Sequence, residues 1–99
     1  MKILLVCAAG MSTGLLVKSF GKYCEKNGLN HSIDAIGITE YSLVYQNYDV
    51  ILIAPQIRYK LTEIKSRTNL PCEPIPSFDY AVGNCERMIA LAERLCAQK

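Results

Sequence analysis

Near its start the chain reads ILLVCAAGMSTG (residues 3–14), an apolar run that ends at a cysteine and passes into a loop of small residues. The run at residues 3–6 is typical of a strand that is buried on both faces. A helical pattern begins directly behind the loop, so this stretch predicts a strand–loop–helix unit. Such a unit directs successive backbone N–H groups and the positive end of a helix at one point, which suits an anion.

Cys7 lies at the mouth of this predicted anion cradle. A thiol in such a field is drawn toward thiolate, the nucleophilic form, so we expect Cys7 to be the catalytic residue. Small residues let the backbone approach a phosphate closely, and hydroxyls can donate to it. The expected phosphate-binding loop consists of Ala8, Ala9, Gly10, Met11, Ser12, Thr13 and Gly14. The alternative interpretation of this loop is a tight strand-to-helix turn with small residues for packing.

Length and composition narrow the class of protein. The 99 residues are expected to form one domain, 1–99, and the hydrophobic content of 51% with 20% charged residues is ordinary for a globular protein. A net charge of +2 with scattered basic residues argues against a nucleic-acid partner. The first apolar run is too short for a signal peptide, and no run approaches the roughly 20 residues of a membrane helix. We therefore expect a cytoplasmic protein.

The cysteines do not form a metal-binding pattern. There are five, at positions 7, 24, 72, 85 and 96, none in a CxxC motif, and the single histidine, His31, has no partner at metal-ligand spacing. No metal site and no cofactor are predicted. Cys24, Cys85 and Cys96 fall on apolar helical stripes, where thiols usually serve as small hydrophobic groups.

Four strand patterns alternate with helical patterns, which favours a parallel sheet covered by helices on both faces. The runs at 3–6 and 50–53 are continuously apolar and belong in the centre, whereas the strand at 31–38 alternates and the one at 73–76 carries two prolines, as edge strands do. The predicted fold is an α/β domain with a single open four-stranded parallel sheet of order 2-1-3-4. Helices are expected at 39–46 and 57–66, with a last one that turns Val82 through Cys96 inward.

Ligands of open α/β sheets bind at the carboxyl ends of the strands, beside the switch point between strands one and three. The loops there are 7–14 and 54–59. On the second loop Gln56 and Tyr59 are expected either to steady the first loop or to contact a partner; the alternative is helix entry and packing. Asp79 is expected on the loop after the fourth strand. Exposed side chains are expected at Met11, Tyr41, Tyr45, Tyr59 and Tyr80; they fit transient docking with partners, and the alternative is ordinary surface variation.

The loop lacks a residue that thiol phosphatases need. Those enzymes carry Cys-x5-Arg, and here the sixth position after Cys7 is Thr13; the nearest arginine, Arg58, lies on the neighbouring loop. The arginine of the phosphatases clamps the transferring phosphoryl group, and removing such a group typically costs several kcal/mol of transition-state stabilisation. This favours a phosphoryl carrier. The alternative is a low-molecular-weight thiol phosphatase or an arsenate-reductase-like enzyme, with Cys7 as nucleophile and Asp79 as acid.

Residues 7–13, 51–57 and 78–83 together resemble the IIB components of the bacterial phosphoenolpyruvate-dependent sugar phosphotransferase system, of lactose/cellobiose/chitobiose type. The resemblance covers nearly the whole chain, and the implied fold also resembles that of the low-molecular-weight thiol phosphatases. One departure is Ala8, where this family commonly has serine.

The resemblance implies a phosphotransferase of sugar transport. Cys7 would become a phosphocysteine, receive the phosphoryl group from a histidine of a cytosolic IIA protein, and pass it to a β-linked disaccharide held by a membrane IIC protein. The protein would be cytoplasmic and transiently at the inner face of the membrane. Cellobiose, diacetylchitobiose and lactose are all compatible, because the sugar pocket belongs to another polypeptide.

Overall fold

The computed structural model describes residues 1–8 and 14–97. Two connections within this part contain 3-10 helix: Tyr41–Leu43 and Tyr45–Asn47 lie between the second and third strands, and Pro55–Lys60 leads from the third strand into a helix. The strands and α-helices are β1 (Lys2–Cys7), α1 (Gly14–Lys26), β2 (Ser32–Gly37), β3 (Val50–Ile53), α2 (Leu61–Thr68), β4 (Cys72–Pro74), α3 (Ser77–Val82) and α4 (Cys85–Ala97).

The sheet has the predicted topology. Its four strands are parallel and lie in the order β2-β1-β3-β4, which confirms the order expected from the sequence. β3 and residues 3–7 of β1 are buried. β4 is short and ends at Pro74, which has no N–H to donate and therefore suits an edge.

Alternate residues of the central strands face two different cores. Ile3 and Leu5 of β1 pack in a cluster with Phe20 of α1 and Met88 of α4, which we call the α1/α4 core. Leu4 and Val6 pack on the other side of the sheet in a cluster with residues of α2 and of the 3-10 segments, which we call the α2 core. The sheet is thus covered on both faces, as predicted.

The predicted helix at 39–46 is wrong. Two 3-10 turns replace it, and Val44 between them has a non-helical backbone (φ −130°, ψ −9°). Neither turn has a side-chain cap, which leaves no local stabilisation for a longer helix. The predicted helix at 57–66 is also shifted, because Ile57 (φ −120°, ψ 26°) interrupts the segment and the α-helix begins only at Leu61.

The last helical region is divided in two. α3 ends at Gly83, whose φ of 65° favours glycine, and α4 begins at Cys85. The Asn84 side chain caps α4 by accepting a hydrogen bond from the backbone N–H of Arg87 (3.1 Å). The expectation that Val82 turns inward is therefore wrong: it lies on α3 and is 57% exposed, and Cys96 is only half-buried.

The two phenylalanines provide a test of this core. Phe20 is fully buried in the α1/α4 core, whereas Phe78 is 74% exposed. Phe20→Ala should lower the free energy of unfolding by about 3–5 kcal/mol through lost burial and a cavity. Phe78→Ala is the matched control and should change it by less than about 0.5 kcal/mol. Urea denaturation followed by circular dichroism measures both, and equal effects would contradict this account of the core.

Candidate functional site

Cys7 is the last residue of β1 and lies at the carboxyl edge of the sheet. It pairs with Gly37 of β2, and its carbonyl accepts a hydrogen bond from Ile38 N (2.8 Å). On the other side Ala54 N, just after β3, donates to the Val6 carbonyl (2.9 Å). Cys7 therefore sits between β2 and β3 at the switch point of the topology.

The Cys7 side chain is covered in this structure. It is 2% exposed and belongs to the α2 core, and its Sγ donates a hydrogen bond to the Ile36 carbonyl at 3.4 Å. The thiol is therefore not open to solvent, whereas a position at the mouth of the anion cradle predicts an accessible thiol. Because a thiolate cannot donate this bond, reaction at Sγ requires its loss.

Part of the expected phosphate loop can be placed. Ala8 is exposed, and Gly14 is the first residue of α1. Ala9, Gly10, Met11, Ser12 and Thr13 lie outside the described residues. α1 has 13 residues and no acidic side chain in its first turn, so the positive end of its dipole follows the loop without a neutralising carboxylate on that turn.

A cleft of about 850 Å³ opens between the Pro55–Lys60 segment and α3. The described residues that line it are Pro55, Gln56, Arg58, Tyr59, Ser77, Tyr80 and Ala81. The structure thus brings Gln56 and Tyr59 together with Arg58 and Tyr80. Half-buried Tyr80 packs against both the α1/α4 core and the α2 core, the second of which includes Cys7.

The tyrosines differ in exposure. Tyr59 is 74% exposed, as expected for a docking residue, whereas Tyr45 and Tyr80 are half-buried. The expectation for Tyr41 is wrong, because its ring is buried in the α2 core and its hydroxyl has no hydrogen-bond partner among the described residues. Burial raises the pKa of Tyr41, which keeps this phenol neutral.

Asp79 lies in α3 rather than in a loop, so that expectation is wrong. The residue is 5% exposed, and its Oδ2 accepts a hydrogen bond from Arg87 Nε of α4 at 2.9 Å. Its carbonyl accepts another from Asn84 N (2.9 Å). A general acid must present its carboxyl proton to a leaving group. Asp79 instead joins α3 to α4, and this geometry disfavours the acid role.

α3 is the element of the site that periodicity does not predict. Six residues are too few for a helical repeat to stand out. The available signals are Pro76 immediately before the helix and Gly83 immediately after it. Arg87, the partner of Asp79, lies eight residues further along the chain on another helix, so no local pattern points to their pairing.

Three other thiols are buried in the two hydrophobic cores. Burial raises the pKa of Cys24 and Cys85 in the α1/α4 core, and raises that of Cys72 in the α2 core to about 11. These thiols are therefore neutral near pH 7, as small hydrophobic groups are.

Within residues 1–8 and 14–97, no group of three or more His, Cys, Asp or Glu side chains is arranged to hold a metal ion. A membrane-spanning helix is likewise absent from this part of the chain, since none of its helices combines the required length and apolarity.

Residues 2–90 match the family described as "PTS system, Lactose/Cellobiose specific IIB subunit". The galactose-specific EIIB component of the PTS system of Lactococcus lactis subsp. cremoris is 31% identical over 101 residues, with 94% of each chain covered. The cellobiose-specific EIIB component of Lactococcus lactis subsp. lactis gives the same identity and coverage. The solution structure of a cellobiose-specific phosphotransferase IIB component protein from Borrelia burgdorferi is 39% identical with a TM-score of 0.83, covering 100% of this chain and 94% of that one.

The Asp79–Arg87 pair has an exposed counterpart in Glu73–Arg94, where Glu73 Oε2 accepts from Arg94 at 3.0 Å. Because Asp79 is buried, Asp79→Ala should lower the free energy of unfolding by about 2 kcal/mol. Glu73→Ala removes an exposed pair and should cost less than about 1 kcal/mol. Thermal and urea unfolding compare the two variants. Equal losses would show that burial of Asp79 adds nothing to its bond with Arg87.

Alkylation tests the thiol environments. With its pKa near 11, Cys72 is thiolate in about one molecule in a thousand at pH 8, so iodoacetamide should modify it far more slowly than half-buried Cys96. Its rate should climb as the pH rises toward 11 while the fold persists. Peptide mapping after timed labelling gives each rate. Similar labelling of Cys72 and Cys96 at pH 8 would contradict the assignment.

Proposed function

Because the chain belongs to the lactose/cellobiose-specific IIB family of the sugar phosphotransferase system, we propose that Cys7 carries the phosphoryl group. Proteins of this family are phosphotransferases that act in sugar uptake. The observation that supports Cys7 is its position at the end of the central strand, beside β3 and directly before the loop that leads into α1.

The proposed reaction has two transfers. In the first, Cys7 Sγ as thiolate attacks phosphorus of a phosphohistidine on a IIA protein; an S–P bond forms, the P–N bond breaks, and the imidazole nitrogen keeps the electron pair and takes up a proton. In the second, a sugar hydroxyl oxygen attacks phosphorus; an O–P bond forms, the S–P bond breaks, and the thiolate returns while the hydroxyl loses its proton to a base or to solvent. Both steps need in-line placement, for which the carrier supplies no acid or base.

Sγ must move before it can react. In the described state it is covered and donates to the Ile36 carbonyl, so the thiolate has to leave that oxygen and turn toward the incoming phosphorus. We propose that the backbone N–H groups of residues 8–14 donate hydrogen bonds to the phosphoryl oxygens. The hydroxyls of Ser12 and Thr13 and the positive end of α1 add to this binding. Since backbone donors do not depend on the side chain, Ala8 suffices where relatives commonly have serine.

The same site is poorly suited to hydrolysis. Thr13 stands where a thiol phosphatase needs arginine, and the Asp79 carboxylate is bound to Arg87. Hydrolysis would therefore lack both a transition-state clamp and a leaving-group acid. A phosphoryl group on Cys7 would persist until an acceptor arrives, which is the property that a carrier needs.

The partners follow from the two transfers. The donor is a cytosolic IIA protein, and the acceptor is a β-linked disaccharide bound by a membrane IIC protein. We propose that residues 1–99 act as a single IIB-type domain, cytoplasmic and transiently at the inner face of the membrane. Gln56 and Tyr59 line the neighbouring cleft, where they steady the loop or contact a partner.

The deciding experiment measures intact mass after incubation with phosphoenolpyruvate, the general phosphotransferase components and a cellobiose-type IIA protein. The wild-type protein should gain one phosphoryl group, about 80 Da, and Cys7→Ser should gain none while keeping its circular dichroism spectrum. Cys96→Ser is the matched control and should be phosphorylated normally. Adding IIC membranes and individual β-disaccharides should then discharge the protein and identify the sugar.

Two results would refute the proposal. One is phosphorylation of Cys7→Ser to the wild-type extent. The other is no mass gain by the wild-type protein together with release of phosphate from an aryl phosphate, which would assign the chain to the thiol phosphatases.

A further inference from the structure

Exposed apolar side chains gather around the candidate site. Among the described residues, five large hydrophobic side chains are strongly exposed, and four of them lie on α1, on the segment after β3 and on α3: Leu15 (80%), Tyr59 (74%), Phe78 (74%) and Val82 (57%). The fifth, Leu43 (82%), lies in the connection between β2 and β3 and lines neither cleft of this region.

Three of these side chains, Leu15, Tyr59 and Val82, belong to one continuous surface. A second cleft of about 260 Å³ is lined by Leu15 and Val82, and it adjoins the larger cleft because Tyr80 and Ala81 line both. Tyr59 borders the far side of the larger cleft. We call this surface the α1–α3 face and define it by Leu15, Tyr59, Tyr80 and Val82.

The charges at its margin are mostly basic: Lys60 lies over the Tyr59 ring, and the carboxylate beside it, Glu63, is paired with Lys60. No acidic residue is among the described residues that line the two clefts, and Arg58 lines the larger one. Lys18 is exposed on α1, one turn from Leu15. Asp79 on α3 is buried against Arg87, whose own side chain remains 66% exposed. The face is therefore apolar with a basic margin, and it is complementary to an apolar surface rimmed by carboxylates.

We propose that the α1–α3 face is the docking surface for the phosphohistidine-bearing IIA donor, an inference that rests on the proposed function. The donor must bring its imidazole to the carboxyl end of β1, and the face is built by the elements around that end. Contiguous exposed apolar groups mark protein contacts in otherwise polar surfaces. The donor arrives with an anionic phosphoryl group, which the basic margin attracts, whereas the acceptor sugar is neutral.

A double variant tests the face without touching Cys7 or residues 8–14. Leu15→Ala with Val82→Ala removes two exposed side chains from helices, where alanine is well tolerated. We expect the phospho-IIA concentration for half-maximal phosphorylation to rise at least about tenfold, with the maximal rate unchanged, because contacts made in docking are lost and chemistry is not. Leu43→Ala, an equally exposed leucine away from the face, is the matched control and should behave as wild type.

The possible results distinguish failure of the docking inference from failure of the proposed function. If wild type takes up no phosphoryl group from IIA, the proposed function fails and the docking inference fails with it. If wild type is phosphorylated and the double variant matches Leu43→Ala, only the docking inference is overturned. Normal phosphorylation with impaired discharge to IIC membranes and sugar would assign the face to the acceptor, and a concentration-dependent dimer lost in the double variant would assign it to a second copy; either overturns the donor assignment.

Discussion

The structure depends on the burial of β1 between two neighbouring strands and two cores. β2 and β3 pair with its two edges, and the α1/α4 core and the α2 core cover its two faces. Its backbone polar groups are therefore used in the sheet, and residues 3–6 must be apolar. Cys7 is the last residue of this strand and follows the apolar run, and the topology places it at the switch point of the sheet.

Burial also protects the thiol of Cys7, the proposed nucleophile. Cys7 Sγ donates to the Ile36 carbonyl, and the Asp79 carboxylate accepts from Arg87. In the proposed function, a phosphocysteine must survive between its encounter with the donor and its encounter with the acceptor. Under that proposal, the threonine at position 13 in place of arginine and the pairing of Asp79 with Arg87 favour survival, because both withhold groups that hydrolysis needs.

The sequence predicts the sheet well because its signals are strong and local. Continuous apolar runs at 3–6 and 50–53 place two strands in the centre, and the prolines after Cys72 place β4 at an edge. The short helical segments are predicted poorly, because one or two turns carry little periodicity and are decided by tertiary contacts. Ile57 interrupts its helix, and α3 is joined to α4 by an ion pair between residues eight positions apart. Cys7 is identifiable from its neighbours in sequence, whereas the cleft that joins Tyr59 to Tyr80 requires the folded chain.

The Asp79–Arg87 ion pair bears on both the acid role considered for Asp79 and the α1–α3 face. It fixes the short helix α3 to α4, and α3 carries Tyr80 and Val82 of the α1–α3 face. It also removes a negative charge from that helix while leaving the Arg87 side chain mostly exposed, so the margin stays basic. An unpaired carboxylate there would repel both an incoming phosphoryl group and a carboxylate-rimmed partner. The pair between buried Asp79 and exposed Arg87 thus joins α3 to α4, and under the proposed function it keeps the Asp79 carboxylate from acting as an acid or repelling the donor.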